Sequence, residues 1–115
     1  MKLIIAGSRD INIESNELEK IISKYYNIED ITEIVCGMAK GVDISGYKWA
    51  KLKKIDVKEF KPDWSIGKVA GILRNKDMGD YADEAIVIYN GSKGSQHMID
   101  YMKKINKPCK VVLVK

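Results

Sequence analysis

Apolar and polar positions along the chain follow two alternating patterns. Five short runs of apolar and β-branched residues are typical of strands buried on both faces of a sheet. The segments between them place apolar residues three and four positions apart, which is the spacing of one helix face. The predicted strands are residues 2–7, 31–37, 55–60, 84–90 and 109–115. The predicted helices are residues 15–26 (capped by Ser15), 42–53, 68–82 and 95–105.

Regular alternation of strand and helix is the pattern of an α/β fold with a parallel sheet covered on both faces. Because crossovers between parallel strands are right-handed, we predict a doubly wound, three-layer sandwich with the strand order 3-2-1-4-5. Residues 1–115 are expected to form one domain. In the third helix, the apolar face predicted to be buried carries Val69, Ile72, Leu73 and Tyr81.

Composition is that of a folded globular protein, with 45% apolar and 31% charged residues. The apolar run at the start ends at Gly7, which is too early for a secretory signal or a membrane span, so we expect a cytoplasmic protein without a membrane partner. Cys36 and Cys109 lie in separate apolar runs, and we predict buried free thiols rather than a metal site or a disulfide.

Positive charge in the chain comes almost entirely from lysine. The formal net charge is +4, and Arg9 and Arg74 are the only arginines. Scattered lysines indicate a solvated surface, which permits nucleic-acid binding without favouring it. Arginine is a planar bidentate donor, so its use at two positions suits a phosphate or a planar partner.

Three predicted loops at the carboxyl ends of strands combine glycine with polar or cationic side chains. In the order 3-2-1-4-5 the ligand crevice lies where the order reverses, beyond strands 1 and 4. The loops are "GSRD" (7–10), "CGMAKGVD" (36–43) and "GSKGS" (91–95). Together they predict a phosphate site, with the following residues as candidates: Gly7, Ser8, Arg9, Gly37, Lys40, Gly41, Asp43, Gly91, Ser92, Lys93, Gly94 and Ser95.

A purely structural interpretation of these loops is also open. Gly37 and Gly41 could form only a tight turn, and Asp43 could only cap its helix. The sequence contains neither G-x-G-x-x-G nor G-x-x-x-x-G-K-[ST], so an ordinary dinucleotide-binding fold or a Walker nucleotidase is disfavoured.

The stretch "GILRNKDM" (71–78) adds Arg74 and Asn75 to the candidate ligand site. Because Gly71 is costly inside a helix, we expect a close approach there. The alternatives for Arg74 are extension into solvent or an ion pair with Asp77 or Asp80.

Trp64 lies on a predicted loop, "KPDWS" (61–65). Packing over the helix that follows is the favoured interpretation, and stacking on a base is the alternative.

Four motifs together resemble the YspA-like branch of the SLOG superfamily: "AGSRD", "CGMAKGVD", "WSIGKVAGILRNKDM" and "GSKGSQHMID". The resemblance extends from Leu3 to Val112 and implies a Rossmann-like domain. It also implies a ligand that is a nucleotide or derived from one, in a branch whose members often occur near phage and defence genes. Relatives in the superfamily include the Lonely Guy phosphoribohydrolases and the DNA-processing protein DprA.

Comparison with the Lonely Guy enzymes separates holding a ligand from cutting it. Those enzymes carry a Pro-Gly-Gly-x-Gly-Thr-x-x-Glu loop and a helical Arg that act on the N-glycosidic bond. Arg74 stands at the place of that Arg, but Met98 stands at the place of the Glu. A thioether can neither accept a proton nor stabilise an oxocarbenium charge. No catalytic residue is therefore assigned with conviction; Arg74, His97 and Asp43 remain the candidates, and His97 suits a structural role better.

The sequence thus predicts a module that senses or sequesters a nucleotide or nucleotide-derived small molecule and requires no cofactor. Lonely Guy-type hydrolysis and single-stranded DNA binding as in DprA are the alternatives. The resemblance also implies a homo-oligomer, for which Tyr101 and Met102 are expected to offer an exposed contact.

Overall fold

The computed structural model of the chain describes residues 1–114 and confirms the predicted α/β architecture. All pairings in its five-stranded sheet are parallel, in the order β3-β2-β1-β4-β5. The strands are β1 (Lys2–Gly7), β2 (Glu33–Cys36), β3 (Asp56–Glu59), β4 (Glu84–Tyr89) and β5 (Cys109–Leu113). The helices are α1 (Ser15–Tyr25), α2 (Val42–Leu52), α3 (Val69–Tyr81) and α4 (Lys93–Lys104). Short 3-10 helices occur at Ile28–Asp30 and Trp64–Ile66.

Two apolar layers cover the faces of the sheet. Successive residues of β1 point to opposite faces, so Leu3 and Ile5 belong to one layer and Ile4 to the other. The first layer is completed by α1 and α2, with Leu18, Ile22 and Trp49. The second is completed by α3 and α4, with Met78, Met98 and Met102. Burial on both faces explains the continuous apolar runs of β1, β2 and β4. The prediction of two-sided burial is wrong for the edge strands β3 and β5, which are mostly exposed because each has a strand neighbour on one side only.

β1 and β4 lie side by side at the centre of the sheet, and Gly7 is paired with Ile88 at their carboxyl ends. Beyond that pair, the chain leaves β1 for α1 on one face and leaves β4 for α4 on the other. The two backbones therefore diverge, and a crevice opens between them at the predicted point of reversal.

The predicted inner face of α3 is wrong for three of its four residues, whereas Tyr81 is partly buried and packs against the second layer. Val69, Ile72 and Leu73 are exposed, with 51%, 43% and 45% of their surface accessible. The buried residues of this helix are Ala70, Asn75, Met78 and Gly79. The first turns of α3 lie over the edge of the sheet rather than over the core, so apolar spacing there does not mark the inner face.

Three further predictions are also wrong: the exposure of Tyr101 and Met102, the capping of α1 by Ser15, and the burial of Cys109. Met102 is fully buried and Tyr101 is half-buried, because both pack against Gly79, where an added Cβ would lie 2.7 Å from the Tyr101 ring. Helix α1 begins at Ser15 after Glu14, with no side-chain cap. Cys109 is partly exposed, whereas Cys36 is buried; both are free thiols.

Two variants of α3 test this inner face. Met78→Ala removes a side chain that is 1% exposed and should lower the free energy of unfolding by about 2–5 kcal/mol. Leu73→Ala, on the same helix, removes a side chain that is half in water and should cost less than about 1 kcal/mol. Urea denaturation of both variants measures the difference. An equal loss in the two variants would contradict the assignment of the buried face.

Candidate functional site

A network of polar side chains joins the loops that follow β1 and β4. The buried Ser8 hydroxyl donates to Asn90 Oδ1 (2.9 Å) and accepts from the Asn90 backbone N–H (3.1 Å). Asn90 Nδ2 donates in turn to Asp10 Oδ2 (3.0 Å). Ser92 Oγ lies 3.1 Å from Ser8 Oγ and donates to Ser95 Oγ (2.9 Å). The loops are therefore held in one arrangement at the crevice.

Two charged side chains, Arg74 from α3 and Asp43 from the first turn of α2, meet over Gly37 in the loop after β2. A Cβ at this position would lie 2.6 Å from Arg74 Nη1 and 2.9 Å from Asp43 Oδ2, so a glycine is required for both to fit. Gly41 has φ +80°, and a Cβ there would lie 2.3 Å from the Ser8 carbonyl oxygen. Gly41 therefore has the backbone conformation of a tight turn, whereas Gly37 makes room for Arg74 and Asp43.

Two hydrogen bonds hold the guanidinium of Arg74 in place. Its Nη1 donates to the Gly37 carbonyl (2.7 Å), and its Nε donates to Asn75 Oδ1 (3.1 Å). The second bond fixes the Asn75 amide so that Nδ2 faces the Gly94 carbonyl (3.3 Å) and His97 Nδ1 (3.2 Å). His97 Nδ1 is then an acceptor, and burial lowers the pKa of His97, which favours the neutral ring. His97 is therefore a hydrogen-bond partner of Asn75, as a structural role requires.

A cavity of about 320 Å³, hereafter the first cavity, opens at this edge between the loops, α3 and α4. Eight predicted ligand residues line it: Gly7, Arg9, Asp43, Arg74, Asn75, Ser92, Gly94 and Ser95. Five further lining residues were not predicted as ligand residues: Ala6, Asp10, Ala39, Met78 and Met98. Asp10 belongs to the "GSRD" loop, and its carboxylate accepts from Asn90 of the distant loop after β4. The apolar part of the wall includes Met98, which is 1% exposed.

The other predicted ligand residues lie around the first cavity rather than on its wall. Ser8 donates a hydrogen bond to Asn90, and Gly41 packs against the Ser8 backbone, so both residues hold the loops together. Gly37 and Lys40 line a neighbouring cavity, and Gly91 and Lys93 are exposed outside both linings. They remain candidates for contact with a ligand that extends beyond the cavity.

The neighbouring cavity, hereafter the second cavity, has a volume of about 480 Å³. It shares Arg9, Ala39 and Arg74 with the first, and its remaining lining residues are Gly37, Met38, Lys40, Pro62 and Trp64. Trp64 packs over α3, as favoured from the sequence. A Cβ at Gly71 would lie 3.5 Å from its ring, which is ordinary contact, so the expectation that Gly71 is needed for a close approach is wrong.

The charges around the first cavity are partly desolvated. Burial raises the pKa of Asp43 to about 6, although Arg74 opposes the shift. Burial also lowers the pKa of Arg74, against the attraction of Asp43. Within residues 1–114, Nη2 of Arg74 and the whole guanidinium of Arg9 have no hydrogen-bond partner. Cationic donors are therefore left available to an anion.

Metal-binding clusters and membrane-spanning helices are both absent from residues 1–114. In residues 1–114, no group of three or more His, Cys, Asp or Glu residues is placed to hold a metal ion. Across the same residues, every helix is too short or too polar to cross a membrane.

Comparison with known families gives one match. The model of the family described as "YspA, cpYpsA-related SLOG family" matches residues 1–67, which is more than half of the 115-residue chain. No curated protein and no solved structure matches the chain. The matched range includes the loops after β1 and β2, whereas α3 and α4 lie beyond it. This match confirms the family that the sequence motifs predict.

The buried carboxyl group predicts a pH-dependent change in stability. With its pKa raised from 3.8 to about 6, Asp43 contributes stability that is complete below pH 4 and is lost as the pH rises through 6. Asp43→Asn imitates the protonated form, so it should stabilise the protein by up to about 3 kcal/mol at pH 8 and hardly at all at pH 4. Thermal unfolding at both pH values measures this. Asp77→Asn, an exposed carboxyl on α3, controls for the lost charge; a stabilisation of Asp43→Asn independent of pH would contradict the argument.

Proposed function

The chain belongs to the YspA, cpYpsA-related SLOG family, and from that premise we propose that it binds a nucleotide or a nucleotide-derived small molecule in the first cavity. Binding would serve to sense or to sequester the ligand, with its phosphate placed between α4 and the loop after β1. No cofactor takes part in this proposal. Membership of the SLOG family supports the nucleotide class, and the shape and charge of the cavity support the position of the phosphate.

One observation carries the proposal: donors from separate elements converge on one cavity. Arg9 comes from the loop after β1, Arg74 from α3, and Ser92 and Ser95 from the start of α4. The first backbone N–H groups of a helix have no partner within the helix and bear partial positive charge, so the start of α4 adds to the attraction for an anion. A Cβ at Gly94 would meet nothing within 4 Å, so a ligand has open access to the backbone there.

Thermal unfolding against a panel of small molecules tests the proposal. The panel contains mononucleotides, ADP-ribose, NAD, cyclic nucleotides and short single-stranded DNA. A ligand present at about a hundred times its dissociation constant should add about 2.7 kcal/mol of stability. Chromatography of the incubated ligands then shows whether they are intact. Stabilisation by DNA alone, falling steeply with salt, would overturn the proposal in favour of nucleic-acid binding.

Substitutions at Arg74 test whether this residue binds the phosphate. Arg74→Ala should weaken binding of a stabilising mononucleotide about 10- to 100-fold, because a charge-assisted pair of hydrogen bonds is lost. Arg74→Lys keeps the charge without the bidentate geometry and should recover only part of the affinity. Lys76→Ala, an exposed cation on the same helix, is the matched control and should bind as wild type does. Isothermal titration measures all four proteins, and wild-type affinity in Arg74→Ala would place the phosphate elsewhere.

Hydrolysis of the N-glycosidic bond is a second candidate function, favoured by the position of Asp43. Met98 in the wall of the first cavity offers no carboxylate, but Asp43 lies in the same wall beside Arg74. Its pKa of about 6 suits a group that gives and takes a proton near neutral pH.

The hydrolytic alternative makes a separate prediction. Incubation of wild type with a mononucleotide should release free base, and Asp43→Asn should lower that rate at least about 100-fold without weakening ligand binding. Arg74→Lys tests the second candidate catalytic residue in the same assay of base release. Recovery of intact nucleotide after prolonged incubation with stabilised wild-type protein would leave binding as the function.

A further inference from the structure

We propose that the second cavity is the subsite for an aromatic base, and that the ligand carries two linked phosphate groups at the junction between the cavities. The ligand class is then a nucleoside diphosphate or a larger molecule built on one. This inference rests on the proposed function and extends it to a cavity and to residues that the proposal leaves unused, above all Trp64.

The two cavities share a wall, and the shared side chains indicate the chemistry at the junction. Arg9 and Arg74 line both cavities. They are also the only arginines in the chain, which otherwise uses lysine for positive charge. Two guanidinium groups at one junction, the whole of Arg9 and Nη2 of Arg74, fit two adjacent phosphate groups better than a single one.

Volume also favours a ligand that occupies both cavities. The first cavity, about 320 Å³, is near the lower end of the roughly 300–1,000 Å³ that small-molecule sites span. The second adds about 480 Å³ on the other side of the arginines. A base, a ribose and two phosphates laid across the junction use both spaces, whereas a single phosphate group leaves the second cavity without an occupant.

The lining of the second cavity suits a flat aromatic group. Trp64, Pro62 and Met38 provide apolar surface. Trp64 is 55% exposed although its ring rests on Gly71 of α3, so the ring is supported by the helix and still accessible to a ligand. A supported, accessible indole is a stacking platform, and it accepts any base because every base has a π-face.

Lys40 adds a third positive charge to the wall of the second cavity. It is exposed and lines the second cavity. Positive charge therefore extends from the junction toward solvent, and the Asp43 carboxylate beside Arg74 offsets part of it. A diphosphate placed at the junction meets three cations and one carboxylate, so net attraction remains.

Titration calorimetry with ADP, AMP and inorganic pyrophosphate tests the inference on the whole chain. Wild type should bind ADP at least about tenfold more tightly than either AMP or pyrophosphate. In Trp64→Ala the ratio of ADP to pyrophosphate affinity should fall about tenfold, and Trp64→Phe should restore most of it. Ile66→Ala is the matched control, since Ile66 is 52% exposed on the same 3-10 helix and lines neither cavity.

Fluorescence gives a second readout that a structural role of Trp64 would not produce. Trp49 is fully buried, so emission that changes on ligand addition comes from Trp64. ADP should quench the emission of wild type and of Ile66→Ala, whereas pyrophosphate should not. Trp64→Phe should bind ADP in the calorimeter without quenching.

The outcomes separate this inference from the proposal beneath it. Equal affinity for ADP and pyrophosphate, with the same ratio in Trp64→Ala, would overturn the base subsite and leave phosphate binding in place. Absence of binding by all three probes, and by the wider nucleotide panel, would overturn both. Tighter binding of AMP than of ADP would overturn the assignment of two phosphates to the arginine junction.

Discussion

The parallel pairing of β1 with β4 is the constraint on which the candidate site depends. The ladder continues one residue beyond the strands, where the Ser8 N–H donates to the Ile88 carbonyl (3.1 Å), and there the backbones part toward opposite faces of the sheet. Polar groups left without a strand partner must find other partners or face water. Ser8, Asn90 and Ser92 satisfy one another across the seam, and the groups beyond them line the first cavity.

Charge inside the cavity is balanced before any ligand arrives. Burial disfavours the charged forms of both Asp43 and Arg74, yet each is the main opposite charge near the other. A buried cation without such a neighbour would be costly in the unliganded protein, so Asp43 lowers the cost of keeping Arg74 at the site. The same carboxylate repels an incoming anion above pH 6. The proposed function therefore implies that anion binding is coupled to proton uptake at Asp43.

Predictability from sequence follows the strength of each local pattern. Continuous apolar runs and regular alternation were sufficient for the strand order, and the order placed three glycine-bearing loops at one edge. Helix α3 shows the limit: Val69, Ile72 and Leu73 have core spacing but are exposed, whereas the polar residues Arg74 and Asn75 of the same helix face inward and line the first cavity. Asp10 was missed since its role depends on Asn90 from a distant loop. The junction of two cavities likewise depends on tertiary placement of the segment around Trp64, which no local pattern encodes.

The two arginines contribute differently because one is fixed and the other is not. Arg74 is half-buried, and its bonds to Gly37 and Asn75 hold the guanidinium in place before binding. Arg9 is exposed and, within residues 1–114, makes no side-chain hydrogen bond. Ordering a long side chain on binding costs about 0.5–1.5 kcal/mol, and Arg74 has already met that cost in folding. Under the proposed function, geometry at Arg74 would set which anion fits, whereas Arg9 would add attraction and adapt to what Arg74 has positioned. Such a site, with one preorganised and one adaptable cation, would recognise a phosphate first and tolerate variation in the group that lies beyond it.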